Sequence, residues 1–190
     1  VNNGEIHFGA NGDDATVLIA DGGRIQTNAF GMRAFGNAQI TVTGTNSLIF
    51  ANGGGWRLSN NASLTLSDGG SLLVSAAGTD NTVIFGNSVT NIGSAAGNAP
   101  VTPGSITAGN ITLSGIGTSI VFNHTDGAYT FARSLGGTGQ VAVYNGTTVL
   151  TAANTFSGGT QLNGGILQVS ADANLGNAAG PLTFDGGTLQ

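Results

Sequence analysis

The chain repeats one phrase, and that phrase restricts its fold more than any single residue does. Residues 15–27 read ATVLIADGGRIQT, 38–50 AQITVTGTNSLIF and 62–74 ASLTLSDGGSLLV, aligning without gaps at offsets of 23 and 24. With one insertion 111–122 (ITLSGIGTSIVF) follows, then 141–151 (VAVYNGTTVLT), 160–169 (TQLNGGILQV) and 182–190 (LTFDGGTLQ). The 47 residues from Leu64 to Ile111 equal two periods, which predicts one coil lacking the phrase between them. Each half of the phrase alternates apolar and polar residues, the period of a strand. The DGG or NGG between the halves is a corner, where glycine reaches backbone angles closed to other residues. Self-similarity at about 23 residues marks a solenoid.

Three columns of inward side chains follow from the alignment. Val17, Ile40, Leu64, Ile111 and Val141 form the first. Ile25, Leu48, Leu72, Ile120, Val149, Leu167 and Leu189 form the second, and Thr27, Phe50, Val74, Phe122, Thr151 and Val169 the third. A further strand repeats 24 residues apart, GMRAFGN at 31–37 and GWRLSNN at 55–61. Three short strands per coil describe an all-β, single-stranded parallel β-helix over 1–190, right-handed because parallel crossovers almost always are. About eight coils at ~4.8 Å each give a rod roughly 40 Å long. Val1 and Gln190 read as cuts within a longer protein.

Composition narrows the function. Glycine supplies 34 residues, charged residues only 7%, and the net charge is −5 with four arginines and no lysine. Phosphate neutralisation needs clustered cations, so nucleic acid is not an expected partner. Without cysteine there is neither a disulfide framework nor a thiolate metal site. No apolar run reaches the length of a membrane span, and no signal peptide opens the chain.

The last stretch, 148–190, is more specific. Leu150-Thr151, Asn154-Thr155-Phe156-Ser157-Gly158-Gly159-Thr160, Gly165, Leu167-Gln168-Val169, Leu175-Gly176 and Gly186-Gly187-Thr188-Leu189 resemble the passenger-associated transport repeat of bacterial autotransporters. Ala153, Phe156 and Ile166 depart from the family pattern, where Gly, Tyr and Thr are usual. The resemblance implies a type V secretion passenger, exported through a C-terminal outer-membrane β-barrel and displayed on the cell surface. It also implies a right-handed β-helix, and a repeat that serves secretion and folding instead of ligand binding.

Chemistry is sparse. His7 and His124 are the only histidines, and neither has a metal partner at useful spacing. The calcium nonapeptide is approached at Gly136-Gly137-Thr138-Gly139, but Gln140 stands where Asp is required. No nucleophile elbow occurs. Asp13 and Asp14 are neighbours and would point to opposite sides of a strand, while Asp21, Asp68 and Asp185 sit in corners as turn formers. Four N-x-S/T triplets, at Asn61, Asn110, Asn123 and Asn145, are ordinary in a chain this rich in Asn and Thr. The candidate ligand-binding surface is the outward, stacked pair Arg33 and Arg57, with Pro100 and Pro103 in a loop protruding over 87–110. No catalytic residue, metal or cofactor is expected. The predicted function is adhesion to host cells, extracellular matrix or sister molecules; the alternative is a stalk that aids secretion and presents an upstream enzymatic domain.

Overall fold

A computed structural model describes residues 4–9, 14–75 and 82–190. The chain winds through three faces per coil. The first coil holds β1 (Ile6–Phe8), β2 (Thr16–Ile19) and β3 (Arg24–Thr27), and the second β4 (Met32–Ala34), β5 (Gln39–Thr43) and β6 (Leu48–Asn52). The third holds β7 (Trp56–Ser59), β8 (Ser63–Ser67) and β9 (Ser71–Ser75), and the fourth β10 (Thr82–Gly86), β11 (Val89–Gly93) and β12 (Ser105–Thr107). β13 (Asn110–Ser114), β14 (Ser119–Asn123) and β15 (Tyr129–Phe131) make the fifth; β16 (Leu135–Gly137), β17 (Gln140–Asn145) and β18 (Thr147–Leu150) the sixth. The last two coils have two strands each, β19 (Thr160–Leu162) with β20 (Ile166–Val169), and β21 (Leu182–Phe184) with β22 (Thr188–Leu189). A 3-10 turn at Asp172–Leu175 is the one helical element among the described residues.

Strands pair in parallel with their equivalents in the next coil, except β12 with β15 on the third face, which makes a β-solenoid. The first face is a six-stranded sheet, β1-β4-β7-β10-β13-β16, and the second an eight-stranded sheet, β2-β5-β8-β11-β14-β17-β19-β21. The third face is split into β3-β6-β9-β12 and β15-β18-β20-β22. One inward column of the second face runs Val17, Ile40, Leu64, Thr90, Ile120, Val141, Thr160 and Leu182. Met32, Trp56, Phe85, Phe122, Phe156 and Leu72 are each at most 1% exposed, so the interior is a close-packed apolar cylinder.

Seven of the expected column assignments are corrected, at Leu48, Phe50, Ile111, Ile120, Phe122, Val149 and Thr151. Leu48 and Phe50 point outward, while Ile49 and Ala51 are fully buried. The cause is corner length. Thr43 pairs with Ser67 but Leu48 pairs with Ser71, so the Gly44–Ser47 corner holds one residue more than Asp68–Gly70. One extra residue reverses the side-chain parity of everything after it. Ser47 is that residue; it is fully buried, and its hydroxyl accepts from Gly22 N at 3.1 Å. Val149 likewise points outward, flanked by the buried Thr148 and Leu150. Thr151, expected inward, is exposed. Ile111 lies on the first face, pairing with Val83 and Leu135, and Ile120 and Phe122 both lie on the second face, in its two inward columns. A strand-corner-strand phrase is the same across any two adjacent faces, so 111–122 is one strand out of phase.

The coil expected between Leu64 and Ile111 is present as β10, β11 and β12. The three-residue DGG corner explains its own sequence. Asp68 and Gly69 have φ of 50° and 82°, and a Cβ on Gly70 would lie 2.2 Å from Val42 O of the coil beneath.

Candidate functional site

The first face carries one cluster of charged side chains. His7, Arg33 and Arg57 occupy one outward column in successive coils. Arg33 and Arg57 are therefore stacked, as their spacing indicates. Glu5 sits beside them, its carboxylate accepting from His7 Nε2 at 2.8 Å and pairing with Arg33 Nε at 2.5 Å. The His7 hydrogen bond is the largest influence holding the Glu5 carboxyl below the usual range; partial burial opposes it, and the Arg33 charge adds to it. The His7 ring also meets the edge of Phe35 at 5.6 Å. Arg33 is thus neutralised, while Arg57 is exposed and makes no ion pair among the described residues. The Glu5–His7 contribution was available in the sequence, because Glu5-Ile6-His7-Phe8-Gly9 precedes Gly31-Met32-Arg33-Ala34-Phe35 by one coil.

The 87–110 stretch is not one protruding loop. It contains β11 and β12, and the excursion is confined to 94–104. Its first part, 94–99, is clamped by the fully buried Asn123, whose amide donates to Ser94 Oγ, Ala95 O and Asn98 O at 2.8, 2.8 and 3.0 Å. Its second part fills the corner of the fourth coil. Thr102 and Pro103 carbonyls accept from Asp68 N and Gly69 N below, and Val101 O accepts from Thr125 N above. Pro100 and Pro103 are half-buried spacers in this layer. The outward Val121 and Ala142 are only 4% and 3% exposed and lie outside the main core cluster.

Two buried asparagines organise the C-terminal coils, where the first face has no strand. Asn154 Oδ1 accepts from Leu135 N at 2.8 Å, ending the first-face sheet at β16, and its amide donates to Asn174 O. Asn174 Oδ1 gathers Ser170 N, Ser170 Oγ and Ala171 N, and its amide donates to Ala152 O. The side chains thus take over hydrogen bonds that a strand would have made. Beyond them Leu182 and Phe184 are 40% and 55% exposed, and a groove of about 360 Å³ lies between Thr160, Leu175, Pro181 and Leu182.

Among the described residues no group of three His, Asp or Glu could hold a metal ion. Asp14 accepts from the Asn37 amide, Asp21 and Asp68 occupy corners, and Asp13 lies outside the described residues. Of the N-x-S/T asparagines, Asn123 is buried, Asn61 stands in a corner with φ of 67°, and Asn110 and Asn145 are exposed.

Comparison with known proteins adds to this geometry. Residues 144–169, which end on β20, match the passenger-associated-transport-repeat family. Over 44 residues, 23% of this chain, the sequence is 54% identical to the adhesin BmaC autotransporter of Brucella suis biovar 1 (strain 1330). The match spans 1% of that protein's length. No solved structure matches. A parallel β-solenoid carrying this transport repeat and this identity supports an autotransporter passenger domain, a cell-surface or extracellular part of such a protein.

Proposed function

We propose that this segment serves an adhesin, presenting a rigid outer surface to host cells, extracellular matrix or sister passengers, and that it has no catalytic role. The identity to a protein named as an adhesin carries the reading. The chemistry of the rod supports it. Nearly all large apolar side chains are consumed by the interior. The second face presents Thr41, Thr43 and Thr65 outward, with the buried Ser67 Oγ, Thr43 Oγ1 and Asp68 Oδ2 linked in one hydrogen-bonded chain. Such a wall suits weak polar contacts repeated over many copies on a cell, where avidity replaces single-site affinity. In the full-length protein a C-terminal outer-membrane barrel is the partner that anchors the passenger.

The test is display of the full passenger on a non-adherent bacterium. Adherence to cells or matrix, or clumping, should rise, and excision of coils between register-equivalent positions should lower it while leaving surface display intact. If display changes neither adherence nor clumping, and a domain upstream of this segment shows hydrolase activity, the segment is a secretion stalk. The transport repeat at 144–169 favours that second reading for the C-terminal coils themselves.

A further inference from the structure

Besides the end of the first-face sheet at β16, the stacked sheets of the described residues are interrupted on the third face. The first and second faces run unbroken through the fifth coil, but on the third face β12 and β15 do not pair. Side chains span the break instead. Tyr129 Oη donates to Gly104 O at 2.9 Å, and the Arg133 guanidinium donates to Ala108 O at 3.2 Å. Backbone links nearby are Thr125 N to Val101 O and Ser94 N to Asn123 O.

His124 lies at the centre of this junction. It is 0% exposed and bridges to Val101. Its ring lies 5.1 Å from that of Tyr129 and meets Phe122 edge-on at 6.5 Å. Nε2 is 2.9 Å from Thr148 Oγ1, whereas Nδ1 makes no well-formed hydrogen bond and has only the backbone and charge of Asp126 near the ring to favour a charge. Gly146 closes over Nδ1, since a Cβ there would lie 2.4 Å away. Thr148 can serve a neutral imidazole as donor or acceptor, but an imidazolium needs an acceptor at both nitrogens. Few groups could compensate a charge. The loop from Pro100 to Gly104 and strand β11 carry no ionisable side chain, and β17 and β18 carry only Tyr144. On its own segment stand Tyr129 and the exposed Asp126, whose Oδ1 is already engaged by Ala128 N.

We propose that the His124 junction is an acid-sensitive joint: protonation of the buried imidazole loosens the loop over 94–108 and the segment 124–133, uncoupling the third face of the first four coils from that of the last four. Burial is the dominant cause that lowers the affinity of His124 for a proton; the charge and backbone of Asp126 oppose it more weakly. A folded-state value below the unfolded one means that the native rod binds fewer protons. Its stability is therefore full above about pH 6.5 and falls as pH drops below that, until the folded-state value is passed.

Hydrogen exchange of the chain at about pH 7.5 and about pH 5.5, corrected for intrinsic rates, reads this locally. Peptides from 94–108 and 124–133 should lose protection at the lower pH, while peptides from 39–75 keep theirs. His7→Gln removes the other histidine and should leave the loss intact; His124→Phe should abolish it. Loss that persists in His124→Phe, loss spread evenly over all coils, or no loss at all overturns the proposal. If His124→Phe does not fold, the proton resonances of both imidazoles in the unaltered chain decide. Titration of His124 in step with the loss supports the joint, and titration of His124 without loss, or loss without it, refutes it.

Discussion

Leu72 and Leu73 are adjacent, chemically identical and placed on opposite sides of one strand. Leu72 is 0% exposed, stacked between Ile49 of the coil below and Ile106 of the coil above. Leu73 is half-buried on the outer side, between Phe50 and Thr107. Leu72→Ala deletes three carbons, a transfer loss of roughly 2.4 kcal/mol at ~0.8 kcal/mol per carbon. Flanking strands pinned by parallel ladders on both sides have little freedom to collapse into the cavity, so the total should reach about 3–5 kcal/mol. Leu73→Ala leaves no enclosed void and should cost about 1 kcal/mol or less. Trp56 is the single tryptophan, 1% exposed in the same coil, so its fluorescence during urea unfolding reports on the affected coil. Leu72→Ala should shift the midpoint strongly with little change in slope, and Leu73→Ala should shift it slightly. Equal shifts would refute the inward/outward assignment.

Asn154→Ala removes both the acceptor for Leu135 N and the donor to Asn174 O, leaving buried backbone groups unpaired. It should cost about 1–3 kcal/mol, read as a lower urea midpoint. Replacing 95–98 with two glycines should leave the circular dichroism of the rod unchanged, because only the Asn123 clamp is lost. Replacing 88–109 should unfold it, because that removes β11 and β12 from two stacks; a folded product would show that the fourth coil is dispensable.

The repeat made the architecture legible. Fixed offsets near 23 and 24 place Ile40 over Val17 and Leu64 over Ile40, and Arg57 over Arg33, as the strand registers have them. Parity was lost where a corner gained a residue. Ser47 resembles any turn serine in sequence, and only its burial distinguishes the longer corner. Phase was lost after Gly93, because the 94–104 excursion stretches the fourth coil and nothing local says which face the next phrase belongs to. Of the candidate surface, the stacking of Arg33 and Arg57 was readable, and the same one-coil offset brings Glu5 and His7 beside Arg33. Pro100 and Pro103 carry the usual signature of a loop, yet the corner layer they fill is built from backbone bonds to Asp68, Gly69 and Thr125, none of which a sequence displays. His124 gave no signal, because its burial arises from a junction of three coils.

The stacking register of the coils determines which side chains face outward, and paired cysteines test it directly, since the chain has none of its own. Phe50 and Leu73 are outward register partners, whereas the gapless alignment of the repeats pairs Phe50 with Val74. Parallel neighbours at about 4.8 Å fall within the Cα separation that a disulfide tolerates, roughly 4.4–6.8 Å. Under mild oxidation of the folded chain, Phe50→Cys with Leu73→Cys should form an intramolecular disulfide readily, and Phe50→Cys with Val74→Cys, one outward and one inward, should not. Cross-linking of the second pair in preference to the first would contradict the register and the surface built on it.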